Sequence, residues 1–420
     1  MVKIWSNTSI LFISCIDYYE QLKTVKKWVN MAKKYIERTI SPLVLAYAEQ
    51  YPVVTIMGPR QSGKTTLCRQ LFPDKAYVSL ETPEDRLFAQ QDPVGFLNRY
   101  PDGAVLDEIQ RVPDLFSYIQ TIVDDQEENG MFILTGSQQF GLLGSISQSL
   151  AGRTALVDLL PFSLTEAWGD RLPDQDINTV LWTGGYPGIF DQGRNPSQML
   201  QFYVRTYLER DVRTLINIKN LSVFEIFLRL CAGRSGQILN MSALGNECGV
   251  TGKTIREWIS VLEASYILKL LKPYYANFNK RLVKSPKLYF LDIGLACYLL
   301  GISNADHLVA HPLRGSLFET MVVSEIWKQT CNRGEADTLY YFRDSKGHEV
   351  DLIRDQGISQ SIMEIKSGQT IASDFFKGLD YYKKISSNVN QAFLVYGGDK
   401  NHIQNNTRIM GWRDLSDIDF

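Results

Sequence analysis

The chain has 420 residues, enough for two or three domains at about 150 residues each. Its composition, 45% hydrophobic and 21% charged, is that of an ordinary globular protein and supports a sizeable core. The net charge of −2 excludes an overall electrostatic pull toward nucleic acid, so any such binding must come from a local patch.

The six cysteines (Cys15, Cys68, Cys231, Cys248, Cys297 and Cys331) lie far apart and form no C-x-x-C. That spacing argues against a zinc site and a disulfide framework, and fits a reducing cytoplasm. The four histidines are equally scattered, which argues against a His-rich metal site. No run reaches the roughly 18 apolar residues of a membrane span. The short apolar run 10–16 makes a poor signal peptide. A cytoplasmic protein with no membrane partner is the expectation.

Residues 1–30 carry no turn punctuation that would join them to the first strand, whereas Met31 opens a plausible amphipathic helix. Met31 is therefore the expected natural start, with residues 1–30 an upstream extension; a genuine N-terminal helix is the alternative. Tyr51 to Met57 is β-branched and apolar and predicts a buried strand. It runs into Gly58-Pro59-Arg60-Gln61-Ser62-Gly63-Lys64-Thr65, which fits the phosphate-binding pattern G-x-x-x-x-G-K-[ST]. The glycines let successive N–H groups point inward at phosphate oxygens, and the helix opening at Thr66 adds its positive end. Lys64 is expected to reach the β- and γ-phosphates, and the Thr65 hydroxyl to ligate Mg²⁺. ATP is the expected nucleotide, though such a loop reads phosphates rather than the base.

Residues 76–80 predict the next strand. The apolar run 103–106 ends in Asp107-Glu108, a second nucleotide motif. Asp107 is expected to hold Mg²⁺, directly or through water, and Glu108 to polarise the attacking water as general base. Residues 132–138 predict a third strand ending in polar residues. Thr135 and Ser137 are candidates to sense the γ-phosphate, with a plain strand-end turn the alternative. Arg153 is a candidate to meet phosphate in cis or across the interface of a homo-oligomer, or to be a surface arginine.

Five segments together resemble one family: the phosphate loop, residues 106–115 (Leu-Asp-Glu-Ile-Gln-Arg-Val-Pro-Asp-Leu), 134–138, 150–153 and 160–166. It is the prokaryotic AAA-type ATPase family whose members carry a C-terminal domain of unknown function, itself similar to the PD-(D/E)XK restriction-endonuclease-like fold. The resemblance runs from about Met31 to about Gly398. The run 206–211 also resembles a family motif, which implies an inter-domain salt bridge or a nucleotide-sensing role for Arg210.

Residues 221–230, 240–248 and 251–264 predict three helices, followed by a strand over 267–271. That order is the pattern of a winged helix. Between 272 and 291 lie five basic residues (Lys272, Lys280, Arg281, Lys284 and Lys287), no acid before Leu291, and interleaved Tyr274, Tyr275 and Phe278. The segment 272–287 is suited to a DNA phosphate backbone. A lid or dimerisation element is the alternative.

Residues 314–331 predict a helix with Glu319 on its apolar face, where an unpaired carboxylate is costly. Strands follow over 339–343, 348–354 and 360–366, a helix over 373–384 and a strand over 391–396. Glu364 and Lys366 share one strand face, as do Glu349 and Asp351. This order resembles the PD-(D/E)XK core. The resemblance implies that Asp351 and Glu364 ligate Mg²⁺ or Mn²⁺, that Lys366 positions or deprotonates a water, and that Glu319 completes the site. A nuclease-like scaffold without cleavage is the alternative.

The expected fold class is α/β. A P-loop ATPase domain with a parallel sheet and lid spans 31–217, a winged-helix-like module 218–300, and a nuclease-like α/β domain 305–400. Residues 401–420 are expected to form a tail.

Overall fold

The computed structural model describes residues 35–137, 144, 146, 149–206, 220–275 and 283–420. The question of Met31 as the natural start, the role of Arg210, and the placement of Lys280, Arg281 and Phe278 lie outside the described residues.

Strands β1 (Val53–Met57), β2 (Ala76–Ser79), β3 (Ala104–Asp107), β4 (Phe132–Gly136) and β5 (Thr154–Asp158) form one sheet in the order β2-β3-β4-β1-β5. Every pair in it is parallel. A parallel sheet needs cover on both faces, and accordingly every residue of β1, β3 and β4 is buried. The helix Lys64–Leu71 supplies part of that cover, with Leu67 and Cys68 packed on Val54, Ile56, Val105 and Ile133. The loops after β1, β3 and β4 leave the same carboxyl edge, where open α/β sheets place their ligands.

Next come helices Leu221–Ala232, Met241–Cys248 and Gly252–Ala264. Asn240 caps the second of these through the Ala243 N–H at 3.0 Å, and Thr251 caps the third through the Thr254 N–H at 3.1 Å. Phe224 and Phe227 pack on Trp258 with ring centroids 5.3 and 5.1 Å apart, which locks the first helix to the third. Strands β6 (Gln237–Ile238), β7 (Leu268–Pro273) and β8 (Lys287–Phe290) pair antiparallel beside them, with β8 in the middle.

The helix Arg314–Asn332 then leads into β9 (Leu339–Arg343), β10 (Glu349–Asp355) and β11 (Gln360–Lys366), an antiparallel run. The helix Lys377–Ile385 crosses to β12 (Val389–Tyr396), which lies parallel to β11. Two features differ from expectation. Strand β7 pairs with β9, Lys272 opposite Tyr340, so a single nine-stranded sheet runs through the boundary expected near residue 300. Residues 401–420, expected as a tail, carry two strands. Asn405 and Asn406, both at positive φ, turn β13 (His402–Gln404) into β14 (Thr407–Gly411), and β14 pairs with β12. Trp412 and Phe420 beyond it are 1% and 2% exposed and belong to the main core.

Candidate functional site

The loop between β1 and the helix Lys64–Leu71 is shaped by its glycines. A Cβ on Gly58 would lie 2.1 Å from the Leu159 carbonyl oxygen, and Gly63 has a φ of 94°. Lys64 turns back onto its own loop, and its Nζ donates to the Gly58 and Pro59 carbonyls, 2.9 Å each. Burial pushes its ammonium down to about 8, against the opposing pull of Glu108 and Asp107. An anion entering the loop therefore meets an ammonium already desolvated and aimed by carbonyls it can leave.

Asp107, at the carboxyl end of β3, accepts from the Thr65 hydroxyl at 3.3 and 3.2 Å, from Tyr77 at 2.6 Å and from Thr135. The Thr65 hydroxyl and the Asp107 carboxylate are hard-oxygen donors side by side, which fits Mg²⁺. Glu108 follows with a φ of 58°. Its N–H donates to Thr135 Oγ1 at 3.1 Å, while its carboxylate accepts from Ser137 at 3.1 Å and from Gln110. Gln61 also has a positive φ, 62°. Both strained residues line the same cavity, of about 560 Å³, with Arg60, Gly63, Lys64, Thr65, Thr66 and Asp107. Thr135 and Ser137 thus face the two acids.

Arg153 is elsewhere, which corrects the expectation of a phosphate contact in cis. Its carbonyl accepts from Val53 at the amino end of β1, opposite the phosphate loop, and its guanidinium pairs with Asp124, one contact at 2.8 Å. Besides Arg60, the arginine that lines the cavity is Arg194, which no motif spacing marks.

Another arginine is equally invisible to the motif. Arg38 is 5% exposed. Its Nη1 donates to the Ser62 carbonyl at 2.8 Å, its Nη2 to the Leu160 carbonyl at 2.7 Å and its Nε to Glu166 Oε1 at 3.1 Å. Glu166 in turn accepts from Thr39 N–H at 2.7 Å and Ser163 N–H at 2.9 Å, closing a capping box with Ser163. The phosphate loop is so tied to the segment after β5. That segment is held from the C-terminal region, where Glu325 Oε1 accepts from Leu164 N–H at 2.9 Å and Lys328 donates to the Phe162 carbonyl at 2.9 Å.

The second set of predicted residues also gathers in one place. Asp351 Oδ2 accepts from the Ile365 N–H at 2.8 Å. Lys366 Nζ lies 2.5 Å from Glu364 Oε1 and 4.0 Å from Asp351 Oδ2. Glu319 Oε1 accepts from Tyr289 at 2.5 Å and from Lys287 at 2.9 Å. Burial, reinforced by the charge of Asp351, pushes the Glu364 carboxyl up to about 8. Lys287 does not belong to a surface basic patch: it is 2% exposed and pairs with Glu319, Glu349 and Asp351. Lys272 and Lys284 are exposed. Among the described residues, no group of three or more His, Cys, Asp or Glu is arranged to hold a metal ion, so the acids as placed do not form the expected metal site. Nor is any described helix long and apolar enough to cross a membrane.

The family model for an AAA domain matches residues 50–168. Two models for domains of unknown function, DUF8612 and DUF4143, match 174–306 and 314–415. The uncharacterized proteins Rv2008c of Mycobacterium tuberculosis and Mb2031c of Mycobacterium bovis are each 32% identical over 307 residues, 72% of this chain and 67% of theirs. Among solved structures, the Walker-type ATPase of Pyrococcus abyssi covers 65% of this chain and 99% of its own, at 15% identity and a TM-score of 0.43. The phosphate loop, the parallel sheet and the matching family model define an AAA-type P-loop ATPase domain. The chain belongs to the family of the mycobacterial protein Rv2008c.

Proposed function

We propose that the chain binds ATP with Mg²⁺ and hydrolyses it at the β1–β3 edge, and that it acts on DNA. The observation that carries the first part is the convergence of Lys64, Thr65, Asp107 and Glu108 on one cavity. Mg²⁺ bound there supplies charge neutralisation on the phosphates. Lys64 exchanges its two carbonyls for phosphate oxygens, and Gly58 to Gly63 present backbone N–H groups to them. Glu108, held by Ser137 and Gln110, takes the proton of the attacking water.

The DNA reading rests on the three helices with an antiparallel three-stranded edge, a winged-helix-like order, and on exposed Lys272 and Lys284 flanking the segment with Lys280 and Arg281. The nuclease-like reading of 305–400 rests on the gathering of Glu319, Asp351, Glu364 and Lys366. A second reading, a nucleotide-driven switch that contacts protein partners over a non-cleaving scaffold, is favoured by Lys287, which already neutralises those acids. The deciding experiment measures ATP turnover and Mn²⁺-dependent DNA cleavage by the full chain. Cleavage lost in Asp351→Asn with ATP turnover retained supports the nuclease reading. ATP turnover with no DNA binding or cleavage selects the switch.

A further inference from the structure

Asp107 is held more closely than its motif requires. In the parallel pairing of β2 with β3, Tyr77 stands opposite Val105, and Ser79 opposite Asp107. Tyr77 therefore shares a sheet face with Val105 and, one pleat further along, with Asp107. The helix Lys64–Leu71 covers that face, and its Arg69 guanidinium carbon lies 4.0 Å from the centre of the Tyr77 ring. The ring is thus held between helix and sheet, and its hydroxyl donates to Asp107 Oδ2 at 2.6 Å.

The other carboxylate oxygen, Oδ1, accepts from the Thr135 hydroxyl on β4, the strand on the opposite side of β3. Each neighbouring strand so gives Asp107 one donor, and each oxygen has its own. Thr65 replaces neither. Its hydroxyl carries a single proton, stands 3.3 and 3.2 Å from the two oxygens, and offers its own oxygen to Mg²⁺. The terminal torsion of an aspartate is broad, so an unsupported carboxylate turns readily about it. Two fixed donors set its plane. Such outer-shell donors orient metal-ligating carboxylates, and losing one typically costs about 10–100-fold in metal affinity.

We propose that Tyr77 is a positioning residue for Mg²⁺: with Thr135 it clamps the Asp107 carboxylate in the plane from which that group holds the nucleotide-bound metal. This rests on the reading of Thr65 and Asp107 as the Mg²⁺ donors. Tyr77 itself does not line the cavity and acts only through Asp107.

The test is isothermal titration of the full chain with the non-hydrolysable analogue AMP-PNP, once in EDTA and once in excess Mg²⁺. The quantity read is the factor by which Mg²⁺ tightens binding. Asp107→Asn should lose most of that factor. Tyr77→Phe, which removes one hydroxyl, should keep the affinity measured in EDTA and cut the factor by about tenfold or more. Adding Tyr77→Phe to Asp107→Asn should cost nothing further, because the carboxylate to be positioned is already gone. An unchanged factor in Tyr77→Phe, beside a loss in Asp107→Asn, overturns the clamp and leaves the Mg²⁺ site standing. Equal weakening of Tyr77→Phe in EDTA and in Mg²⁺ gives the tyrosine a purely structural role and overturns the clamp as well. So does a further loss in the double variant. A wild-type factor in Asp107→Asn overturns the Mg²⁺ assignment and the clamp with it.

Discussion

Glu166→Gln should destabilise the ATPase domain by about 3–5 kcal/mol at pH 7, the cost of leaving a buried ionic partner uncompensated. The side chains of Arg38 and Glu166 are 5% and 3% exposed, so water cannot replace the lost carboxylate. Gln retains one acceptor oxygen, but its amide would face an N–H donor of Thr39 or Ser163. The pH dependence has a definite sign. Burial pushes the Glu166 carboxyl up, but the Arg38 charge and the Ser163 and Thr39 N–H groups outweigh it and hold the carboxyl below its usual range. A depressed folded pKa gives stability that is present above the unfolded pKa and lost as the pH falls through the folded one. Urea unfolding followed by circular dichroism should show the gap between wild type and Glu166→Gln at pH 7 and its shrinkage as the solution is acidified below the usual carboxylate range. Arg38→Met/Glu166→Leu should lose less than Glu166→Gln, since no charge is stranded. A gap absent at pH 7, or one undiminished in acid, would refute the role given to this pair.

Lys64→Ala should weaken MgATP binding by roughly ten- to hundredfold, the worth of a charge-assisted contact of about 1.5–3 kcal/mol, read by isothermal titration. Deleting residues 401–420 removes β14 from β12 and withdraws Trp412 and Phe420 from the core, at about 3–5 kcal/mol for each aromatic. The shortened chain should show no cooperative thermal transition, and a wild-type melting curve would return that segment to the status of a tail. Neutralising Lys280, Arg281 and Lys284 together should lower the slope of log affinity for DNA against log salt by about 0.9 for each phosphate left without its cation, measured by fluorescence anisotropy. An unchanged slope would put the DNA interface on another surface.

The phosphate loop is legible in the sequence because its chemistry is local: strand, glycines, Lys64, Thr65 and helix succeed one another within the chain. Asp107 and Glu108 are legible for the same reason, at the end of an apolar strand. The Arg38 clamp is not, because its partner is 128 positions away. Only the Ser163-x-x-Glu166 capping box gives a local sign that Glu166 has structural work. Lys287 misleads because a count of basic residues along the chain ignores which way each one points. The pleat and the pairing of β7 with β9 decide which of them meet solvent, and they turn Lys287 toward acids from a helix and another strand. The last strand pair escapes a reading of periodicity although Asn405-Asn406 is a hairpin signal, because β13 is exposed throughout and carries no alternation to mark it. Arg153 draws notice by its position after a predicted helix, but the parallel order of β1 and β5 puts it at the opposite end of the sheet from the phosphate loop.

The central claim is that Glu108 is the general base of an ATP-hydrolysing site, and a filter-binding and single-turnover experiment with Glu108→Gln tests it most directly. The variant keeps the shape beside Ser137 and Gln110 but cannot take a proton. Radiolabelled MgATP should bind with wild-type affinity and stay intact, with hydrolysis slowed by about 10²–10⁴-fold. Hydrolysis at the wild-type rate in Glu108→Gln would contradict the assignment.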